Sequence, residues 1–152
     1  MSFLKRLLFG KPLVRINHPV LGEGVLMETR SGNYWEIERE LLNQPFTLFI
    51  ETVGEQPPTD QQVEFFLKFA RNNDAAFATA APLLVPEYER WVKGSFPAQW
   101  REAFQFVAMT VPLDADDKND WDLSFECLQD KDRHNFCCRM QGGTAVEVQV
   151  DG

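Results

Sequence analysis

The sequence predicts an α+β domain spanning residues 1–152: a mostly antiparallel sheet of about six or seven strands, with a central helical segment of about 59–103 packed on one face. Three observations predict it. Apolar residues alternate with polar ones near both ends of the chain, as in Trp35/Ile37 against Glu36/Glu38 and Trp121/Leu123/Phe125/Cys127 against Asp122/Ser124/Glu126. Between them, Val63, Phe66, Leu67 and Ala70 recur at i, i+3, i+4, i+7, the spacing of a buried helical stripe. The order of strands, then helices, then strands favours segregated α+β over alternating βαβ units.

Each element has a local reason. Residues 13–22 contain His18-Pro19, and proline pushes its predecessor out of helix, so this stretch is an extended lead-in. Gly24–Thr29 reads as a strand, Ser31-Gly32-Asn33 as a turn, and Tyr34–Arg39 as a half-buried strand. After Asn43-Gln44-Pro45, the stretch from Phe46 to Val53 is a third strand with Phe46, Leu48 and Ile50 on one face, completing a meander. Thr59 with Gln62 three residues later is a capping-box signature opening a helix. Phe65 and Phe69 fall beside its stripe, and Arg71-Asn72-Asn73-Asp74 ends it and caps the next. Residues 75–81 are alanine-rich and helical, limited by Pro82 and Pro86, or with Pro86 beginning a fresh turn; Glu87–Lys93 resumes helical spacing until Gly94. A short helix is expected near Trp100 and a strand over 104–111. The acidic loop 114–120 then leads into the strand at 121–127, the polar turn 130–133 and the strand 134–140. Gly142-Gly143 is a two-residue hairpin signal before a last strand carrying Val146, Val148 and Val150.

Charge limits function. Fifteen Lys and Arg against 23 Asp and Glu give a net charge of −8, which disfavours a phosphate-backbone partner. Five basic and two acidic groups leave residues 1–30 at +3, so the rest of the chain carries −11 and is complementary to a basic partner protein. No apolar run approaches the roughly 18 residues of a membrane span. Residues 1–10 mix Lys5 and Arg6 into Phe3, Leu4, Leu7 and Leu8, which reads as a short amphipathic helix and not a secretory signal. Cys127, Cys137 and Cys138 are odd in number and two are adjacent, so all three are expected as reduced thiols, as in a cytoplasm.

The chemistry-bearing clusters are sparse. Cys127, His134, Cys137 and Cys138 lie within twelve residues but lack a C-x₂-C pair, and adjacent cysteines on a strand point to opposite faces. The run from Asp114 to Asp122 misses the calcium-loop pattern: Lys118 stands at its fifth position, the turn glycine is absent, and Phe125 occupies the closing position. The two histidines, His18 and His134, have no nucleophile elbow near them, and Gly22-Glu23-Gly24 lacks the rest of a phosphate-binding loop. No cofactor or metal is therefore expected.

Residues His18–Gly22, the strand bearing Trp35, the Phe46–Val53 strand leading into Pro58-Thr59-Asp60-Gln61-Gln62, and the closing Trp121–Glu126 and Val150–Gly152 together resemble a family of small bacterial cytosolic domains of unknown function. Some members of that family are suggested to be immunity proteins of toxin systems. The resemblance implies a class and assigns no residue a role. The expectation is a non-enzymatic cytoplasmic protein that binds a basic partner protein through Glu36, Glu38, Asp114, Asp116, Asp117 and Asp120. The alternative is a small-ligand protein or enzyme with its pocket between sheet and helices.

Overall fold

The computed structural model describes residues 12–151; the expected amphipathic helix at 1–10 lies outside them. The chain is α+β, an open sheet with two helices packed against it. The sheet has eight strands, where six or seven were expected: β1 Arg15–His18, β2 Gly22–Thr29, β3 Gly32–Leu41, β4 Gln44–Thr52, β5 Phe104–Val111, β6 Trp121–Cys127, β7 Asn135–Gln141 and β8 Thr144–Asp151. The additional strand is β1, the extended lead-in. It pairs with β2 because Gly24, opposite Ile16, has no Cβ: one placed there would meet Ile37 Cγ1 at 2.9 Å and Ile16 Cγ2 at 3.1 Å.

The strands lie in sequence order across the sheet. Every neighbouring pair is antiparallel except β4 and β5, which run parallel through Thr47–Ile50 and Ala108–Val111. Two four-stranded meanders are thus joined at the centre of the sheet, and the parallel step needs a crossover, which the helices supply.

Helix α1, Asp60–Arg71, opens as the sequence predicts. Thr59 Oγ1 accepts the Gln62 N–H, and Gln62 Oε1 accepts the Thr59 N–H. Its buried stripe is rotated from the expected one. Gln62, Val63, Phe66 and Phe69 are buried, whereas Leu67 and Ala70 are half-buried. The Phe69 ring sets the rotation, lying 5.9 Å from Phe46 and edge-on to Phe106 at 5.0 Å.

Helix α2, Asn73–Val92, is continuous, where two segments divided by Pro82 and Pro86 were expected. Each proline removes one N–H from the ladder. Here Ala78, Pro82 and Pro86 all stand on the exposed side, so the carbonyls deprived of a donor are solvated. Phe77, Ala80, Leu84 and Tyr88 meanwhile keep one unbroken stripe against the sheet. Lys93, in the left-handed conformation at φ 57°, ends the helix ahead of Gly94. The expected short helix at Trp100 is a single 3₁₀ turn, Trp100–Glu102.

Between sheet and helices the core is aromatic. Phe104 meets Tyr88, Phe125 and Phe136 at 5.2–5.6 Å, and Phe77 stacks on Trp100 at 4.7 Å with the ring planes 4° apart. In β5 a bulge between Phe106 and Ala108 shifts the alternation, so that Phe104, Phe106, Met109 and Val111 all reach this core.

Candidate interaction face

Because the inward face of the sheet meets the helices, the other face decides what the protein can present. Register defines it. One row crosses β3 to β8 through Glu38, Thr47, Ala108, Ser124, Cys137 and Gln149. Beside it lie Glu36, paired with Phe49, and the ladder Asp122, Arg139, Glu147. Among the described residues no helix or strand covers this face.

The six carboxylates singled out in the sequence separate into two groups. Glu36 and Glu38 stand on the open face, with Glu38 accepting the Thr47 hydroxyl at 3.3 Å. Asp120 joins them indirectly, 3.4 Å from Arg139. Asp114 and Asp116 are spent on the β5–β6 loop: Asp114 accepts the Asp116 N–H and the Asn119 amide, and Asp116 accepts the Lys118 N–H. Asp117 is exposed on the same loop. Glu51 anchors this loop to the end of central strand β4 by accepting the Leu113 N–H at 3.0 Å.

Sequence reasoning did not include Asp122, Glu126, Glu147 and Asp151 among the site residues. All four follow from outward parity on β6 and β8, a signal present in the alternation but meaningful only once β6–β8 are set in one sheet with β3. Their electrostatics differ along the face. Glu147 is held below the usual carboxylate range by the Gln149 amide and by Arg139, 3.1 Å away. Arg133 is engaged by Glu126 at 3.0 Å. Asp122 is pushed up by burial and then by Asp120, and Glu36 is pushed up by burial and then by Glu38. The two arginines here are thus committed to the β6–β8 side. Among the described residues, no cation lies within ion-pair distance of Glu36 or Glu38.

The cysteines do not converge. Cys127 and Cys138 are buried in the core, while Cys137 lies on the open face 3.4 Å from the Ser124 hydroxyl. Burial raises all three thiols, Cys138 to about 12, so none is an activated nucleophile. Asp130, Asp132 and His134 bring one ligand-type atom each within 4.8 Å of the others. Asp130 is already committed to the turn: it accepts the His134 N–H at 2.9 Å, the Asp132 N–H at 3.4 Å and the His134 ring Nδ1. The Trp91 ring then packs edge-on to His134 at 5.1 Å. This cluster closes the β6–β7 turn.

A hollow of about 250 Å³ opens where β4 and β5 part before Thr47 and Ala108, lined chiefly by Leu41, Leu42, Trp100, Phe104 and Phe106. It is half-open to solvent. Arg101 on its rim is held by Asp74 at 2.7 Å and stacks over Trp100. Among the described residues no helix is long and apolar enough to cross a membrane. No family model, no curated protein and no solved structure matches this chain.

Proposed function

We propose that this chain is a non-enzymatic protein-binding module of the cytoplasm that captures a basic partner protein on the open face of its sheet, in the manner of an immunity protein neutralising a toxin. One observation carries the binding reading. Glu36 and Asp122 sit half-buried beside other carboxylates, with their acidity weakened, on a face no described element covers. Like charges gathered at a half-desolvated surface cost folding free energy, and Lys or Arg from a partner would offset that cost on binding. Nucleic acid, itself an anion, would be repelled by the same face. The cytoplasmic part rests on the unpaired cysteines, which suit a reducing compartment. The immunity role rests on the family resemblance in the sequence.

The test is capture of partners from lysate of the source organism at roughly 0.05 M and 0.5 M salt, a range over which the screening length falls severalfold. Wild type and the double variant Glu36→Gln/Glu38→Gln are compared. A stoichiometric basic partner, released by salt and weakened at least tenfold by the double variant, is expected. Association that ignores both salt and neutralisation would overturn the reading.

A further inference from the structure

The two edges of the sheet are not equivalent. β1 is a guarded edge: it has four residues, lies between Pro12 and Pro19, and carries Arg15. β8 has eight residues and no proline or lysine. A bulge opposite Arg139 and Met140 confines irregularity to its start, leaving Glu147–Asp151 in regular register with Asn135–Arg139. No described strand lies on its outer side, so alternate N–H and C=O groups of β8 from Glu147 to Asp151 face outward without a ladder partner.

We propose that β8 is the docking edge for the basic partner, which adds an extended segment to the sheet as a ninth strand, with Lys or Arg at alternate positions and apolar residues between them. This rests on the protein-binding reading above. The side chains of β8 select that occupant. On the open face they are Glu147, already bridged to Arg139, then Gln149 and Asp151, an acidic row in which Asp151 calls for a cation beside it; on the inward face Val148 and Val150 pack partly against the core, next to α2. The same pattern rejects a second copy of this chain. Antiparallel β8–β8 pairing centred on Gln149 would set Glu147 directly opposite Asp151 of the other copy, twice, between chains of net charge −8. The added strand would extend the carboxylate-bearing face that begins at Glu36 and Glu38, so one partner segment and its flanking surface could use both.

The probe is an acetylated, amidated peptide of alternating Lys and Val, eight residues long, titrated onto the full chain at low salt and followed by amide hydrogen exchange. Alternate amides of residues 147–151 are expected to slow at least tenfold in the complex. Glu147→Lys/Asp151→Lys, at two exposed positions, should weaken the peptide at least tenfold and admit a Glu/Val peptide instead. Binding that leaves β8 exchange unchanged, or that survives the charge reversal, overturns strand addition. If such binding is instead lost in Glu36→Gln/Glu38→Gln, the open-face reading stands without the edge. No binding of the Lys/Val peptide overturns the edge proposal, while partner capture separately decides the reading beneath it.

Discussion

Replacing Gln62 with alanine should cost this protein about 3 kcal/mol, although the side chain is polar and only one residue in a helix. Gln62 is 2% exposed. Its Oε1 accepts the Thr59 N–H at 3.1 Å, and its Nε2 donates to the Glu51 carbonyl at 2.8 Å and to the Pro112 carbonyl at 3.1 Å. One amide therefore ties the start of α1 to the end of β4 and to the residue after β5, where the acidic loop leaves the sheet. At about 1 kcal/mol for each of three bonds the sum is about 3 kcal/mol, before any further penalty for carbonyls left buried. For a chain of this size that is a fall in Tm of roughly 6–12 °C. Gln62→Glu separates the parts: it keeps the acceptor toward Thr59 but turns an oxygen toward two carbonyls, so it should be at least as damaging as alanine. Urea unfolding checks this, read as a shift in midpoint at constant m-value. A loss under about 1 kcal/mol for Gln62→Ala, or a Gln62→Glu variant as stable as wild type, would refute the claim that this amide fastens the three segments.

Three further outcomes follow from the same bonds and charges. Trp35 Nε1 donates to the Gln56 carbonyl at 2.7 Å, whereas Trp121 Nε1 is buried with no partner among the described residues; Trp35→Phe should cost about 2–3 kcal/mol, while Trp121→Phe should change stability by no more than about 1 kcal/mol, compared by urea midpoints. Burial raises the Asp130 carboxyl, but bonds from the His134 backbone and ring and from the Asp132 backbone outweigh it and hold the group at about 2. Its stabilisation is thus complete above the unfolded value of about 4 and is lost as pH falls toward 2, so Asp130→Ala should cost about 2 kcal/mol at neutral pH and nothing below about pH 2, measured as thermal stability against pH. Glu36 titrates above its ordinary value, so ionising it opposes folding above that pH; Glu36→Gln should raise the melting temperature at pH 7 while weakening partner capture, and a lower melting temperature would contradict the electrostatic account of the face.

Most of the local structure is legible in the sequence, because local signals act over a few residues. The Thr59/Gln62 capping box, the Gly142-Gly143 turn with both residues at positive φ, and the alternation from Trp121 to Cys127 each specify an element without reference to the rest of the chain. The features that differ are those decided at a distance. β1 forms because Gly24 lets it approach β2, and no property of Arg15–His18 alone announces a partner. The α2 prolines are tolerated because the exposed side of the helix is where they stand, which depends on the sheet beneath it. The inward stripe of α1 turns toward Phe69 because Phe46 and Phe106, far apart in sequence, are brought beneath it by the parallel step.

The same distinction governs the candidate site. An acidic loop is conspicuous in a sequence because its charges are consecutive, yet Asp114 and Asp116 use their carboxylates to shape the loop itself. Charges on a sheet face are spaced two apart within a strand and distributed over strands far apart in the chain, so Glu36, Asp122 and Asp151 look unrelated until strand pairing sets them on one face. Those are also the positions where burial and neighbouring carboxylates outweigh any nearby cation: Glu36 and Asp122 carry weakened acidity, Asp122 even with Arg139 opposite it. A carboxylate already bonded within its own loop gains little from a partner's lysine, since it must exchange one good contact for another. One crowded by its own kind gains the full difference. The open face therefore has more to gain than the loop from an incoming cation, and partner affinity should respond more to Glu36 and Glu38 than to Asp114 and Asp116.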